Sequence, residues 1–337
     1  MLDLEKIKVY GRSVWENGVT VDWTASGVEF SAMCEGDVFV SFHTNSSQLL
    51  YFSVYIDGEK TRLCINEQKT EDGVYTHKIA TLPRGKHEFS VIRQSEAERG
   101  CCEITDISLS GEFLPKKSDQ KLIEFIGDSI TCGYANLATC SMPPEECSES
   151  PFEDGTEGYA YLTARKLGFD FSMLSRQGTG IVAGWDYLLN PMGAIPRVYS
   201  LNSFYRDSRP YDFARPADIV VINLGTNDIY KYLGEEKDPN LTDEDFINTI
   251  YNVLCDFHDK NGAPLMIVAV GMMTNPQSHA PLYRWYSEAI SRYERERGEK
   301  IHFCHLPENY EGGKAHPNVE GHRAAALVLS EFIKNLL

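Results

Sequence analysis

From residue 10 to 117, apolar and polar positions alternate over short stretches: VEFSAM, DVFVSFHT, LLYFSVYIDG, YTHKIATL, KHEFSVIRQ and CEITDISLSG. A period of two puts one face of each stretch in a core and the other toward solvent, so each predicts a β-strand. No helix-length periodicity interrupts them, and the spacing predicts a β-sandwich of jelly-roll type. Asp57-Gly58 and Arg84-Gly85 stand where the chain needs turns, because glycine tolerates positive φ.

The pattern changes after LPKKSDQK, residues 114–121, a polar stretch containing a proline. KLIEFIG (121–127), ADIVVINLG (217–225) and PLMIVAVG (264–271) are nearly continuous apolar runs, as parallel strands buried on both faces require. Helical patterns cover Tyr159 to Leu167, Asp243 to Lys260 behind a Thr242 cap, Ala280 to Arg297, and Val319 to Leu336. Alternating strands and helices predict an α/β domain with a mostly parallel sheet. The expected organisation is therefore a β-sandwich accessory domain over 1–117 and an α/β domain over 118–337, and 337 residues suit two domains.

Composition narrows the picture little: 42% hydrophobic and 24% charged residues are ordinary for a soluble globular chain. The formal charge of −17 changes it more, since it repels nucleic-acid phosphates and anionic lipid head groups. Neither nucleic acid nor membrane is an expected partner, although acidity also serves solubility. The opening MLDLEKIKVYG has no apolar core of signal-peptide length, and no run is long enough to span a bilayer. With nine cysteines, an odd number that includes adjacent Cys101 and Cys102, reduced thiols and a cytoplasmic location are expected.

In an open α/β sheet, reactive groups gather at the carboxyl ends of the strands. Gly127-Asp128-Ser129-Ile130-Thr131 follows KLIEFIG and puts a serine hydroxyl at a strand-to-helix turn, where free N–H groups and a helix dipole suit an oxyanion. Serine is equally at home there as a helix cap. Asn223-Leu224-Gly225-Thr226-Asn227-Asp228 ends another apolar strand; Asn227 is either an oxyanion donor or part of an Asx turn. His316-Pro317-Asn318 precedes the last helix, so His316 lies on a loop, as a base or as a surface residue.

Taken together, GDSIT with Ser129, SRQGTG with Gly178, GTND with Asn227 and HPN with His316 resemble the four blocks of the SGNH (GDSL-type) hydrolases, in that family's chain order. YGR near residue 10, the IDG of 56–58, LPRGKHEFSVIRQSE and the run into EFIGDSITCGY resemble carbohydrate esterase family 2, whose members join a β-sandwich to an SGNH domain. The resemblance implies removal of O-acetyl groups from xylan, mannan or glucomannan, without metal or other cofactor, and with an acetylated oligosaccharide as partner. It implies Ser129 as nucleophile, His316 as base, and an oxyanion hole of the Ser129 N–H, the Gly178 N–H and the Asn227 amide. Gly180 is the alternative donor within SRQGTG.

The family commonly carries an aspartate three or two residues before the histidine, but here those positions are Gly313 and Lys314. A Ser–His dyad is implied, with a main-chain carbonyl near 313–315 accepting the Nδ1 proton; Glu308 and Glu311 are the substitute acids. Trp185, Tyr230, Trp285 and Tyr310 are candidate platforms for sugar rings or, alternatively, helix-packing residues. Cys132, Cys140 and Cys147 lack zinc-site spacing. Two other readings stay open: an SGNH lipase, lysophospholipase or thioesterase, and a glycan-binding protein with a decayed hydrolase domain.

Overall fold

A computed structural model describes residues 2–15, 17–68, 70–147, 150–184, 194–203, 209–234, 238 and 240–337. The first part is antiparallel: β1 (Lys8–Tyr10), β2 (Val19–Thr20), β3 (Gly27–His43), β4 (Tyr51–Ile56), β5 (Glu59–Cys64), β6 (Val74–Arg93) and β7 (Glu103–Phe113). They form one sheet in the order β2-β7-β3-β6-β4-β5, with β1 on β3. The first domain is all-β, as expected, and its sheet curls as a half-barrel around Phe30, Val40, Phe42, Phe52, Phe89 and Ile104; it differs from the expected stretches in that four of them are joined in pairs.

The two longest strands explain the difference. VEFSAM and DVFVSFHT are both β3, while YTHKIATL and KHEFSVIRQ are both β6. Cys34 pairs with Gly85 and Gly36 with Leu82, so the residues between them form a bulge. Gly36 (φ +79°) and Arg84-Gly85 therefore bend the paired strands and do not reverse them. Asp57-Gly58 does reverse the chain: with φ of 50° and 91° they are the whole turn between paired Ile56 and Glu59. β5 reads EKTRLC, a polar edge strand with no buried residue and hence no apolar alternation to detect.

The second part contains β8 (Leu122–Gly127), α1 (Ser129–Cys132), α2 (Pro144–Cys147), α3 (Tyr159–Leu167), β9 (Asp170–Ser175), α4 (Ile195–Val198) and β10 (Ile219–Asn223). It continues through α5 (Thr226–Leu233), α6 (Asp243–Asn261), β11 (Leu265–Gly271), α7 (Ala280–Arg297), β12 (Ile301–Leu306) and α8 (Val319–Lys334). The sheet is wholly parallel, in the order β12-β11-β10-β8-β9. Along β8, Leu122 and Ile126 pack with α6 and α7, while Ile123 and Phe125 pack with α3 and α8. Successive side chains serve opposite apolar layers, which is why the strand reads as continuous apolar sequence.

The edge strands β9 and β12 were hidden from that reading by their polar residues. Asp170 of β9 is buried against Lys8 Nζ at 2.7 Å, and Phe303 and His305 of β12 are exposed. Arg12 crosses from the half-barrel to Glu124 of β8 at 3.0 Å and lies 4.7 Å over the Tyr199 ring. No regular element lies between Phe113 and Leu122. Among the described residues no helix is long and apolar enough to cross a membrane.

Candidate active site

Parallel register brings three loops to one place. Gly127 at the end of β8 pairs with Asn223 of β10 on one side and Ser175 of β9 on the other. The chain leaves β8 in one direction and returns to its opposite flank, the switch point where an open α/β sheet forms a crevice. Ser129 stands two residues beyond Gly127, after Asp128. A Cβ on Gly127 would lie 2.0 Å from Thr131 Oγ1, so only glycine permits this tight exit from the strand. Asp128 caps α1 by accepting the Ile130 N–H at 3.0 Å. Because α1 is a single turn, local N–H groups replace the helix dipole expected beneath Ser129.

His316 arrives by a different route, because β12 lies at the far edge of the sheet. The loop from residue 307 is drawn back by Asn309 N to Met272 O (2.9 Å), Gly313 N to Ala135 O (3.1 Å) and Cys140 N to Glu311 O (2.9 Å). Lys314 (φ 51°) and Ala315 (φ 55°) are consecutive left-handed residues. That conformation costs about 1–2 kcal/mol per non-glycine residue. It turns the Lys314 carbonyl to 3.1 Å from His316 Nδ1, while Nε2 lies 2.9 Å from Ser129 Oγ. The carbonyl can only accept, so Nδ1 carries the proton and Nε2 is free to take the serine hydroxyl proton.

Tyr134 packs edge-on against the imidazole, with ring centroids 5.0 Å apart. Burial pushes the His316 pKa from 6.5 down to about 4; the Lys314 charge pushes the same way, and the carbonyls of Lys314 and Gly313 oppose it. The base is thus neutral across physiological pH, not half-titrated near 6.5. Neither substitute acid reaches it. Glu308 accepts from Asn275 Nδ2 and the Tyr310 hydroxyl, both at 3.0 Å, and Glu311 accepts from Asn318 Nδ2 at 3.2 Å.

Ser129, His316, Gly178 and Asn227 line one cleft of about 1170 Å³. Gly178 has φ +68°, the left-handed region open to glycine. Gly180, the alternative donor, does not line the cleft; it bridges Ala194 and lies so near Asp228 Oδ2 that a Cβ would come within 2.7 Å. Asn227 Nδ2 donates to Thr179 O at 2.8 Å, and its other contact, Asp128 Oδ2, is long at 3.4 Å. One amide hydrogen fixes the side chain and the second is only weakly engaged.

Two aspartates beside these residues escaped the sequence reading. Asp228 is buried and accepts the N–H groups of Ile181 (2.9 Å), Val182 (2.8 Å) and Ala183 (2.9 Å), shaping the chain beyond Gly178. Burial raises its pKa, and the three N–H bonds oppose the rise. Asp128 is pushed up to about 7 by burial, its bond from Ile130 N opposing and the charge of Asp228 adding to the rise. Their signal was present: each adjoins a site residue at a strand end, where a short acceptor can bind freed N–H groups. Also missed was the half-barrel's share of the cleft wall, through Ser47, Gln48, Leu49, Glu98 and Arg99.

The four aromatic candidates separate. Tyr230 lines the cleft and donates to Met273 O at 3.2 Å. Tyr310 is exposed but outside the cleft lining, bound to Glu308. Trp285 is not a platform: it is fully buried, stacked on Phe246 at 4.0 Å, and its Nε1 donates to Asp243 at 2.6 Å. It belongs to the inward stripe of α7 with Leu282, Ala289 and Tyr293. Trp185 lies outside the described residues. Cys132 is buried beside Glu96, Cys147 is buried against Gly313, and Cys140 is exposed. Among the described residues no group of three or more His, Cys, Asp or Glu is placed to hold a metal ion.

Comparison with known proteins agrees with this architecture. Residues 9–116 match the carbohydrate esterase 2 N-terminal model. The chain is 23% identical to an acetylxylan esterase / glucomannan deacetylase of Cellvibrio japonicus, across 98% of this chain and 89% of that protein. It is 27% identical to the cellulase/esterase CelE of Acetivibrio thermocellus over 77% of this chain, which spans only 31% of that longer protein. A family two carbohydrate esterase from Clostridium thermocellum, solved in complex with cellohexaose, shares the fold with a TM-score of 0.87 at 24% identity, covering 98% of each chain. An acetyl xylan esterase from the rumen bacterium Butyrivibrio proteoclasticus superposes with a TM-score of 0.85 at 22% identity, covering 99% and 97%. Residues 123–329, more than half of the chain, match the GDSL-like lipase/acylhydrolase model, and the protein belongs to that family.

Proposed function

We propose that this protein is a carbohydrate O-acetyl esterase acting through a serine acyl-enzyme on hemicellulose-type oligosaccharides of xylan, mannan or glucomannan. The observation that carries the reading is the Ser129 Oγ to His316 Nε2 contact of 2.9 Å, with Nδ1 engaged by a main-chain carbonyl. His316 takes the Ser129 proton as Oγ attacks the acetyl carbonyl, then returns it to the departing sugar oxygen. Water, deprotonated by the same nitrogen, releases acetate. The Ser129 and Gly178 N–H groups and the Asn227 amide stabilise the oxyanion.

The names of the relatives support a carbohydrate substrate, and so does the cleft. Its walls carry Ser47, Gln48, Glu98, Arg99 and Arg176, groups suited to sugar hydroxyls, beside apolar surface from Leu49, Pro151 and Met273. Tyr230 stands at the wall as a stacking surface, and Tyr310 beyond it as a second. An odd count of nine cysteines, with Cys101 and Cys102 adjacent, favours action in a reducing compartment such as the cytoplasm.

Mass spectrometry of acetylated xylo- and manno-oligosaccharides, before and after incubation, tests the reading. Stepwise loss of acetyl groups is expected with wild type and not with Ser129→Ala. Unchanged substrates that are nevertheless bound would make the protein a glycan binder, and cleavage only of long-chain acyl esters would make it a lipase.

A further inference from the structure

We infer that Glu96 and Glu98, which lie between β6 and β7 of the half-barrel, are positioning residues for the oxyanion loop around Gly178. The N-terminal domain is then a working part of the esterase site and not only an accessory to it. This inference rests on the esterase reading above.

The first half of the loop needs an external hold. Thr179 O and Gly180 O are held by Asn227 Nδ2 at 2.8 Å and Ile195 N at 3.1 Å, but nearer Ser175 the main-chain ties, Arg176 N to Gly127 O and Thr179 N to Arg176 O, are both long at 3.4 Å. The half-barrel provides the hold at two consecutive residues. Glu96 Oε2 accepts the N–H of Gln177, the residue before Gly178, at 3.3 Å. Glu98 accepts from the Arg176 guanidinium and from the side-chain amide of Gln177.

These carboxylates are themselves anchored. The fully buried Arg93 guanidinium donates to Val21 O at 2.8 Å and to Ser95 O and Glu96 O at 2.9 Å, fixing the turn that presents Glu96. Glu153 Oε1 accepts the Glu96 N–H at 3.1 Å, and the Glu153 carboxylate holds Arg99 through two bonds of 3.0 Å. Arg99 also reaches Gln48 on the cleft wall at 3.1 Å.

Stability does not account for Glu96. Its side chain is fully buried beside Glu153 and Glu98, and Oε1 has no hydrogen-bond partner among the described residues. Burial and those two charges push its pKa up to about 8, so the position is unfavourable for a carboxylate. A group kept there at such a cost, with its one bonded oxygen on the residue before Gly178, is explained by what it positions.

The test compares Glu96→Met, Glu96→Gln and Glu98→Gln with wild type on 4-nitrophenyl acetate and on an acetylated xylo-oligosaccharide. Glu96→Met keeps the volume but removes the acceptor; it is expected to lower kcat about tenfold on both substrates, with KM changed less than about twofold, because a displaced oxyanion donor acts in the transition state. Glu96→Gln retains an acceptor oxygen and is expected to recover most of that loss. Glu98→Gln is at the cleft wall, keeps the side chain's volume and one acceptor oxygen, and is expected to lower kcat about threefold to tenfold, again on both substrates. It decides the matter if Glu96→Met does not fold. Equal kcat in Glu98→Gln and wild type, or a loss confined to the oligosaccharide, overturns the inference while leaving the esterase standing. A wild type inactive on both acetyl esters overturns the esterase reading and this inference with it.

Discussion

The two members of the Ser–His pair are held in place by different physics. Ser129 sits at the end of a central strand whose neighbours on both sides fix its height by parallel pairing, Gly127 opposite Asn223 and Ser175. His316 hangs on a long return from the edge strand β12, pinned by main-chain bonds to the loops after β8 and β11 and bent by two left-handed residues. The first position is a property of the sheet, and the second a property of one loop's tethers. A sheet end tolerates variation that keeps its apolar pattern, whereas the loop stores strain that its contacts must offset.

The sharpest way to break the comparison is to remove the chemistry at the rigid end. Ser129→Ala is expected to abolish turnover of 4-nitrophenyl acetate while thermal unfolding stays near wild type, since pairing and not the hydroxyl fixes the strand end. Retained esterase activity would mean that another nucleophile does the work. Asn227→Ala comes next, with kcat expected to fall about 10² to 10³-fold and KM nearly unchanged, as for other side-chain oxyanion donors. A change confined to KM would make Asn227 a substrate-binding residue.

The tethered end is sharpened by pH. With His316 pushed down to about 4, the active neutral form prevails above that value. kcat/KM is expected to be flat from about pH 5 to 8 and to fall about tenfold per unit below pH 4. An inflection near 6.5 would place His316 in a far more hydrated setting than its packing against Tyr134 and Ser129 provides. Smaller still is the expected effect of Glu308→Gln or Glu311→Gln, because neither carboxylate touches the imidazole. A true triad acid costs about 10⁴ in kcat when neutralised, and a loss above tenfold here would reveal one.

What the sequence showed follows the same division. Strand β8, strand β10 and the loops they release were legible, because burial on both faces writes itself as nearly continuous apolar runs ending in Gly127 and Gly225. β9, β12 and β5 were not, because polar side chains satisfied by tertiary partners or solvent erase the pattern. The joining of four short stretches into β3 and β6 was hidden because Arg84-Gly85 looks alike in a bulge and in a turn. Trp285 was misplaced for a related reason: an aromatic on a helix reads the same whether its face meets solvent or a neighbouring helix. Asp128 and Asp228 were signalled only by adjoining site residues at strand ends, whereas Glu96 and Glu98 act across the domain boundary, which no local spacing announces.

The smallest expected effect tests the His316 loop most finely, because it separates the main chain of Lys314 from its side chain. The carbonyl that holds Nδ1 belongs to the backbone, and alanine bears the same left-handed penalty as lysine, so Lys314→Ala should keep the imidazole in place. At pH 7 its kcat/KM on a small aryl acetate is expected within about twofold of wild type, since His316 is neutral in both. The side chain acts on the base electrostatically: its positive charge disfavours the imidazolium and helps depress the pKa. Without that charge the imidazolium forms more readily, the inflection moves up from about 4, and the variant falls below wild type first as the solution is acidified. A pH profile between about 3.5 and 6 reads the shift directly, on the scale of a histidine titration. A profile moved in the opposite direction would show that the ammonium group does not face the imidazole. A large loss at pH 7 would show instead that the left-handed turn depends on the lysine side chain, making the loop's tether a side-chain contact and not the main-chain ties described above.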